Sequence, residues 1–548
     1  MIAKHPIALI ALIALIALVA LVGVTLSACT EDERIVAKNL LPPVLEQQRV
    51  ALDNHKLLNL EATIPAMCYT ATEQEHNPCY VCHQSYSDSA DRYNQLSDFG
   101  LQGGYLFSDV GTTNHWQNLF VDRRQWNEKI SDEQILQYIN EDNYSALPAR
   151  LIASGWQGFI PDLKNYHEGA TAFDSNGLAR DGSGWVAFNY KPLPSTFWPT
   201  NGATDDVLIR LPKNFRSLNG QFDRQIYLLN LSLIELTIKQ LEMIDIFEVN
   251  EQTLGRDINN NGQLDKSVRQ LLPQTHFFGD ANDHLVLLQQ YPAGTEFMHS
   301  VRYVGVNDDN TIGIPTRMKE LRYMKKFREL SQADIDNRYR RERKEKVEEE
   351  LPNFVSHGDE GFENGYGWKI SAFIEDYNGE LRPQSHEEKM FCMGCHSAIG
   401  TTIDHTFAFS RKVTGTAGWG YINLKGMIDA PSIAEKDGEI LNYFKRVAGG
   451  NEFRSNPEMF AKWFNQDGEL NTAAIKNADV YELITPTPQR ALELNKAYTH
   501  IVRHQSYIFG RDTTLTPLTN VHKNIDESEA PLKPHAQVLS WDIRLSWQ

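Results

Sequence analysis

The sequence predicts a mainly α-helical protein with long ordered loops and a small antiparallel β element. Apolar residues recur at helical spacing between residues 224 and 249, and a strongly charged helix is predicted between residues 331 and 351. Residues 284–306 alternate instead and are followed by the turn residues 307–310, which predicts one hairpin. Residues 61–219 are rich in glycine, asparagine and aromatic side chains, a composition typical of ordered loops between short helices.

Shorter helices are expected on either side of these elements. Ser131 and Gln134 fit a capping box ahead of an apolar stretch, so a helix is predicted to begin there. Further helices are predicted at about residues 434–447 and 491–508. The chain after residue 513 is expected to be irregular.

The overall charge of the chain restricts its partners. The 548 residues include 53 basic and 71 acidic side chains, which gives a formal net charge of −18. Such a chain is a poor ligand for nucleic acid or for an anionic lipid surface. A basic redox partner protein suits this charge better.

Residues 1–28 have the composition of an export signal. Lys4 precedes a long apolar run from Ile7 to Leu26. This run is about as long as a bilayer-spanning helix, so an uncleaved membrane anchor is the alternative reading. The sequence Leu-Ser-Ala-Cys that ends at Cys29 favours processing instead, because it resembles the lipobox of bacterial lipoproteins.

The lipobox resemblance implies that Cys29 is lipidated and becomes the new N-terminus. The protein is then attached to a membrane through this lipid. Thr30 follows the cysteine, whereas the retention signal of inner-membrane lipoproteins is usually an aspartate at that position. The resemblance therefore implies the outer membrane, on its periplasmic face or at the cell surface.

Four of the other five cysteines form two C-x-x-C-H motifs. Motif 1 is Cys79, Cys82 and His83 with its spacer, and motif 2 comprises residues 392–396. Chance matches are expected only about 0.002 times in a chain of this length and composition. Two thiols at this spacing reach the two vinyl groups of one haem, and the histidine binds its iron. A four-cysteine zinc site and two disulfides are the alternatives, but neither requires the histidines.

These motifs resemble the haem-attachment sites of c-type cytochromes. The resemblance implies a multi-unit c-type cytochrome with two covalently bound haem c groups. It rests on the two motifs and the lipobox alone, so it identifies no specific family of dihaem lipoproteins. The implied haem-binding residues are Cys79, Cys82, His83, Cys392, Cys395 and His396, of which the two histidines bind iron.

The sixth ligand decides whether a haem only passes electrons or also binds a substrate. His115 is the leading candidate at motif 1, and His405 is the leading candidate at motif 2, with Met427 next. The further alternatives at motif 2 are Met298, His299, His500, His504 or no ligand. Met67 is an alternative at motif 1, as are other histidines or an open position. Cys68 is expected to be a small buried side chain, with iron ligation or a reactive thiol as its alternatives.

A candidate calcium loop lies in the middle of the chain. Its oxygen-bearing side chains fall at the alternating positions of an EF-hand-like loop, with Gly262 at the sharp turn. Val268 replaces the usual bidentate glutamate, so an ordinary asparagine- and glycine-rich turn is the alternative. The expected calcium ligands are Asp257, Asn259, Asn261, Gln263 and Asp265.

The sequence divides into six predicted segments. They are a signal peptide at residues 1–28, a tether and leading helix at 29–60, a haem 1 unit at 61–220, a middle unit with the calcium-type loop and hairpin at 221–380, a haem 2 unit at 381–512, and a tail at 513–548.

Three functions are compatible with these features. Electron transfer in the periplasm or at the outer membrane is favoured, because it needs only the two haems, and no catalytic residue is assigned. A dihaem peroxidase or oxygenase with one open haem is the first alternative, since the chain is far longer than two cytochrome domains require. A surface ligand-binding redox protein that uses the aromatic loops near Trp185 and Trp198 is the second.

Overall fold

A large antiparallel sheet organises the molecule. The computed structural model describes residues 40–44, 61–85, 96–194, 199–348, 354–396 and 399–547. Helices account for 33% of the structure and strands for 17%, and one sheet contains eight strands. The predicted mainly α-helical fold with a small β element is therefore wrong.

The strands hold the sheet together through antiparallel pairing in the order β1-β2-β7-β10-β13-β12-β11, with β14 added on β13. The other strands form three small two-stranded sheets. The strands of the described residues are, in chain order, β1 (Val186–Ala187), β2 (Thr204–Arg210), β3 (Ser217–Leu218), β4 (Gln221–Phe222), β5 (Ile244–Val249), β6 (Val268–Leu271), β7 (Glu296–Arg302), β8 (Gly305–Val306), β9 (Ile312–Gly313), β10 (Met318–Lys326), β11 (Val355–Ser356), β12 (Phe362–Glu363), β13 (Trp368–Glu375) and β14 (Leu381–Pro383).

Helices surround this sheet on both sides. Short 3-10 turns, among them Cys79–Val81, connect many of the elements. The α-helices of the described residues are α1 (Arg124–Asn127), α2 (Asp132–Ile139), α3 (Leu147–Ala153), α4 (Arg224–Lys239), α5 (Glu251–Leu254), α6 (Gln332–Val347), α7 (His386–Met393), α8 (Ala408–Arg411), α9 (Glu439–Val447), α10 (Pro457–Trp463), α11 (Thr472–Asn477), α12 (Val480–Ile484) and α13 (Pro488–His504).

Several local predictions are confirmed. Helix α2 begins at the capping box, where the Ser131 hydroxyl accepts from the Gln134 backbone and the Gln134 side chain accepts in return. Strands β8 and β9 form the predicted hairpin. Helix α4 is shorter than predicted, because Gln240 takes a left-handed conformation with φ 53° and ends it. Strand β5 then occupies the rest of the predicted helix.

The two faces of the large sheet differ in chemistry. Successive side chains on a strand point to opposite faces, so the strand register sorts them. On one face, Leu208, Met298, Leu321 and Phe373 pack into a hydrophobic core with Trp185.

The opposite face combines an apolar end and a polar end. At its apolar end lie Ile209, Phe297 and Met324, which share the largest hydrophobic core with helix α4. At its polar end the same face carries a set of four side chains that we call the polar wall. The polar wall consists of Asp205, His299, Glu320 and Arg322.

The C-terminal tail returns to the region of motif 1. Isolated bridges pair Thr70 with Val521 and Ser85 with Ser540, so the tail runs along the segment that carries motif 1. The large sheet combines strands from the predicted haem 1 unit, which ends at residue 220, with strands from the segments that follow it. Residues 1–28, the predicted lipidation site Cys29 and most of the predicted tether lie outside the described residues. Among the helices that are described, none is long and apolar enough to cross a bilayer.

Candidate cofactor site at the two C-x-x-C-H motifs

The two motifs adopt the same local turn. In motif 1, the backbone carbonyl of Cys79 accepts from the N–H groups of Cys82 at 3.2 Å and His83 at 2.9 Å. In motif 2, the carbonyl of Cys392 accepts from the corresponding residues at 3.2 and 3.1 Å. Each turn therefore places two thiols and one imidazole at equivalent positions.

Each turn is anchored by its spacer residues. Tyr80 and Val81 are fully buried in motif 1, and Met393 is fully buried in motif 2. The cysteines beside them are only half-buried. Gly394 lies so close to the carbonyl oxygen of Thr63 that an added Cβ would approach it to 2.4 Å. The spacers thus fix the turns in the core and leave the thiols at its edge.

Both motifs contribute to one cavity, which we call the shared cavity. Its cavity volume is about 140 Å³, which is smaller than the range of about 300–1,000 Å³ that is typical of ligand pockets. Cys79, Cys82, His83 and Cys395 line it together. The rest of the wall is mostly apolar and includes Ile64, Met67, Leu101, Phe107 and Ile399.

Asp98 connects the two motifs at this cavity. Its Oδ2 lies 3.2 Å from Nδ1 of His83, and its Oδ1 accepts from the Gln84 backbone at 2.9 Å. Oδ2 also accepts from the backbone of Gly400, four residues beyond motif 2, at 3.1 Å. The carboxylate therefore orients the His83 ring with Nε2 on the opposite side, as in metal-binding histidines that donate their second N–H to a carboxylate.

Motif 2 adjoins a cluster of buried charges. Glu320 of the polar wall pairs with Arg322 at 3.1 Å and with Arg511 at 3.0 Å. The charge of Arg322 acts on both Cys392 and Cys395, so the cluster lies beside the two thiols of motif 2. Asp512 acts on the same two arginines and on Cys395, so both positive and negative charges adjoin motif 2.

The imidazole of His396 lies deep in this region. Burial, with a smaller effect of Arg322, lowers the pKa of His396 to about 4. Among the described residues, Nδ1 of His396 has no hydrogen-bond partner. The ring is therefore neutral at physiological pH, the state in which histidine binds metals.

His299 faces the same region from the sheet. Burial and then the charge of Arg322 lower the pKa of His299 to about 3, and His396 acts in the same direction. Nε2 of His299 lies 3.8 Å from Oδ2 of Asp205. The side chain retains 18% exposure although it belongs to a central strand, so it borders an internal space.

The two predicted sixth ligands occupy other surroundings. The ring of His115 is exposed, and its Nε2 lies 3.2 Å from the carbonyl oxygen of Val110. His405 is buried and stacks on Tyr366 with 3.8 Å between ring centroids. Neither histidine is among the residues that line the shared cavity, so both assignments remain sequence predictions.

Cys68 belongs to the shared cavity rather than to an unrelated part of the core. It lines the cavity beside Met67, and the charges of Cys79 and Cys395 act on it. Burial raises the pKa of the Cys68 thiol well above its ordinary value. None of the five described cysteines forms a disulfide.

The calcium-type loop is stabilised by its own backbone. Asp257 accepts from the N–H groups of Asn261 and Gly262, and Asn261 in turn accepts from Gln263. Glu251 of helix α5 accepts from two further N–H groups of the loop. In the described part of the chain, no group of three or more acidic, histidine or cysteine side chains is arranged to hold a metal ion. Calcium binding at this loop stays a prediction.

The sequence does not mark Asp98 or Arg322, and it offers His299 only as a lower-ranked candidate for the sixth ligand at motif 2. Asp98 is 15 residues from His83, and it contacts Gly400 across 302 positions. His299 and Arg322 are neighbours only through the register of β7 and β10. A charged or histidine residue at every second position of a buried strand is the one signal that could have pointed to the polar wall.

The comparisons with known proteins agree on one point. A family model described as "-like lipoprotein" matches residues 52–482. A curated relative from Aquifex aeolicus (strain VF5), named an uncharacterized lipoprotein, is 33% identical over 516 residues, which cover 83% of this chain and 86% of the relative. No solved structure matches the chain. The chain therefore belongs to this lipoprotein family.

Proposed function

We propose that this lipoprotein is a dihaem c-type cytochrome that transfers electrons at the outer membrane or in the periplasm. The supporting observation is the identical turn of the two C-x-x-C-H motifs, each with thiols at the edge of the core and both contributing to the shared cavity. Accidental motifs would have no reason to meet at one cavity. Thr30 after the lipobox cysteine supports the outer membrane.

The residues of each motif are suited to one haem. Cys79 and Cys82 would hold the first haem through thioether bonds, with His83 as iron ligand. Cys392 and Cys395 would hold the second in the same way, with His396 as iron ligand. A haem bound in this manner supplies a one-electron redox centre.

The remainder of the site supports such a centre. Asp98 holds the ring of His83 in one orientation, and the apolar lining of the shared cavity limits the access of water. The net charge of −18 favours a basic redox partner protein over nucleic acid. Trp185, which the surface-binding alternative requires at a loop, is fully buried. Trp198 lies outside the described residues.

Haem attachment is tested on the full chain produced in a host that matures cytochromes c. Haem staining after denaturing electrophoresis and a pyridine haemochrome assay should give two covalently bound haems per chain. Cys79→Ala with Cys82→Ala should leave one haem, and Cys392→Ala with Cys395→Ala should leave the other. Cys68→Ala is the matched control and should retain both.

Two results would contradict the proposal. A chain that carries no covalent haem although its signal has been processed would exclude a cytochrome. Stoichiometric zinc in the purified protein, lost in either double variant, would support the zinc alternative instead.

A further inference from the structure

We propose that His299 binds the iron of the haem at motif 2 as its sixth ligand, opposite His396. The inference rests on the proposed function, since it requires a haem at this motif. It assigns the ligand to a central strand of the large sheet rather than to a residue near the motif in sequence.

The strand register places His299 on the correct face. In β7 it pairs with Val207 of β2 and with Arg322 of β10. Residues two positions apart on a strand share a face, so His299 lies on the face of Phe297 in β7, and its partner Arg322 lies on the face of Met324 in β10. Phe297 and Met324 pack in the same core as Met390 and Met393 of helix α7. Helix α7 leads directly into motif 2, so the sheet face that carries His299 shares a core with the helix that ends in that motif.

The polar neighbours of His299 support this placement. Arg322, which lies beside it in the register, is close enough to Cys392, Cys395 and His396 for its charge to act on all three. His396 is also among the groups that lower the pKa of His299. Arg511, which shares Glu320 with Arg322, donates to the backbone carbonyl of Glu388 and lies over the ring of Phe391, so the polar wall borders the helix that leads into motif 2.

The polar wall is not expected to make the folded protein more stable than apolar side chains would. Four ionisable side chains occupy a core-facing stretch of the sheet, where apolar residues of similar size would generally be at least as stable. The arginine charge is neutralised by Glu320 at 3.1 and 3.2 Å. Ligation of a metal would account for the histidine that lies beside this pair in the strand register.

Asp205 lies beside His299, where a carboxylate could hold the ring of a metal-binding histidine in one orientation. Its Oδ2 lies 3.8 Å from Nε2 of His299, and it accepts a hydrogen bond from the hydroxyl of Tyr190. Metal-bound imidazoles usually turn their second nitrogen to a carboxylate, which fixes the ring and raises its basicity. Asp205 is itself held by β2, so both partners are placed by the rigid sheet.

Six-coordination at motif 2 would make this haem an electron carrier. An iron with histidine on both sides has no position for peroxide or dioxygen. The inference therefore also separates the favoured function from the dihaem enzyme.

The experiment is low-temperature EPR with near-infrared magnetic circular dichroism on the oxidised full-length protein. Wild type should show a low-spin bis-histidine haem. His299→Ala should convert one of the two haems to high spin, and added imidazole should restore the low-spin signal. His284→Ala is the matched control, since it removes a half-buried histidine that pairs with Glu329 and is not a candidate iron ligand, and it should leave both spectra unchanged.

A second variant distinguishes the loss of an iron ligand from misfolding of the protein. His299→Met should keep a six-coordinate haem but move its near-infrared charge-transfer band from the bis-histidine to the histidine–methionine position. Haem content is measured in every sample, so a chain without haem reports failure of the proposed function and not of the ligand assignment.

Two outcomes would overturn the assignment while the haems remain attached. Unchanged low-spin spectra in both His299 variants would show that another residue is the ligand. A high-spin haem at motif 2 in the wild-type protein would show that the sixth position is open, and the dihaem enzyme would then be favoured.

Discussion

Motifs 1 and 2 share one turn but lie in opposite electrostatic surroundings. Motif 1 forms a 3-10 turn between loops, and its imidazole is held by the carboxylate of Asp98. Motif 2 ends helix α7 and faces the sheet, where Arg322 and Arg511 share the carboxylate of Glu320. The same five-residue pattern can therefore produce two different redox centres, because the fold decides which charges surround it.

The surroundings of the two motifs are expected to shift the reduction potentials of their haems in opposite directions. A carboxylate behind an iron-binding imidazole increases its basicity and stabilises ferric iron, which lowers the reduction potential. Nearby guanidinium groups disfavour the extra positive charge of ferric iron and raise the potential. We expect the haem at motif 2 to have the higher potential, so electrons would pass from motif 1 to motif 2.

The largest expected effect comes from removing the carboxylate that neutralises the arginines at motif 2. Glu320→Ala leaves Arg322 and Arg511 buried without this partner, and should lower the free energy of unfolding by about 3–5 kcal/mol. Chemical denaturation followed by circular dichroism measures the change. Glu360→Ala removes an exposed pair with Lys369 and should change the stability by less than about 1 kcal/mol. Equal effects would show that the charges at motif 2 are not effectively buried.

A pH effect of a few kcal/mol is expected from Glu452, which lies near the same end of the molecule. Burial, followed by the charge of Asp512, raises the pKa of Glu452 from 4.5 to about 8. Between these values the folded protein keeps a proton that the unfolded chain releases. The free energy of unfolding is therefore largest below about pH 4.5 and decreases as the pH rises to about 8.

The Glu452→Gln variant should lose most of the pH dependence of the free energy of unfolding between pH 5 and pH 8. The loss should be on the order of a few kcal/mol. Denaturation midpoints at several pH values measure it. Glu458→Gln, which removes an exposed carboxylate on α10, is the control. A wild-type stability that rises over this range would contradict the assigned direction.

A smaller effect is expected from the carboxylate at motif 1. Asp98→Asn should raise the reduction potential of the haem at motif 1 and leave that of motif 2 nearly unchanged, because the imidazole that this side chain contacts is that of His83. The loss of its charged hydrogen bonds should also lower stability by about 1–3 kcal/mol. A spectroelectrochemical titration that resolves both haems measures the potentials. A shift of both haems, or of motif 2 alone, would contradict the separation of the two surroundings.

The smallest effect should come from the calcium-type loop, which contacts neither motif. Added Ca²⁺ at about five times Kd should raise Tm slightly if the loop binds the ion, because the gain in stability is then about 1 kcal/mol. Asp257→Ala should abolish the gain and leave the haem spectra unchanged. Tm that is insensitive to Ca²⁺ would favour the ordinary turn.

The local elements were predictable from the sequence, whereas the large sheet was not. The capping box at Ser131 and the hairpin at β8 and β9 depend on neighbouring residues only. Strand β10 has the sequence MKELRYMKK, in which lysine, glutamate and arginine conceal the alternation expected of a buried strand. These charges are tolerated because their partners come from distant segments.

The residues of the candidate site also divide into those that a local sequence pattern predicts and those that only the fold brings together. The thiols and imidazoles of both motifs are readable from spacing alone. Asp98, His299 and Arg322 are brought to the motifs by register and by contacts across hundreds of positions, so no local pattern marks them. The cavity that joins the motifs is likewise a product of tertiary folding.

The position of the tail has a consequence for biogenesis. Residues 521 and 540 pair with residues 70 and 85 on either side of motif 1, so one wall of this region is supplied by the last part of the chain to cross the membrane. During export, Cys79 and Cys82 emerge before the tail that forms this wall. The order of synthesis thus leaves an interval in which these thiols are accessible, and docking of the tail ends it.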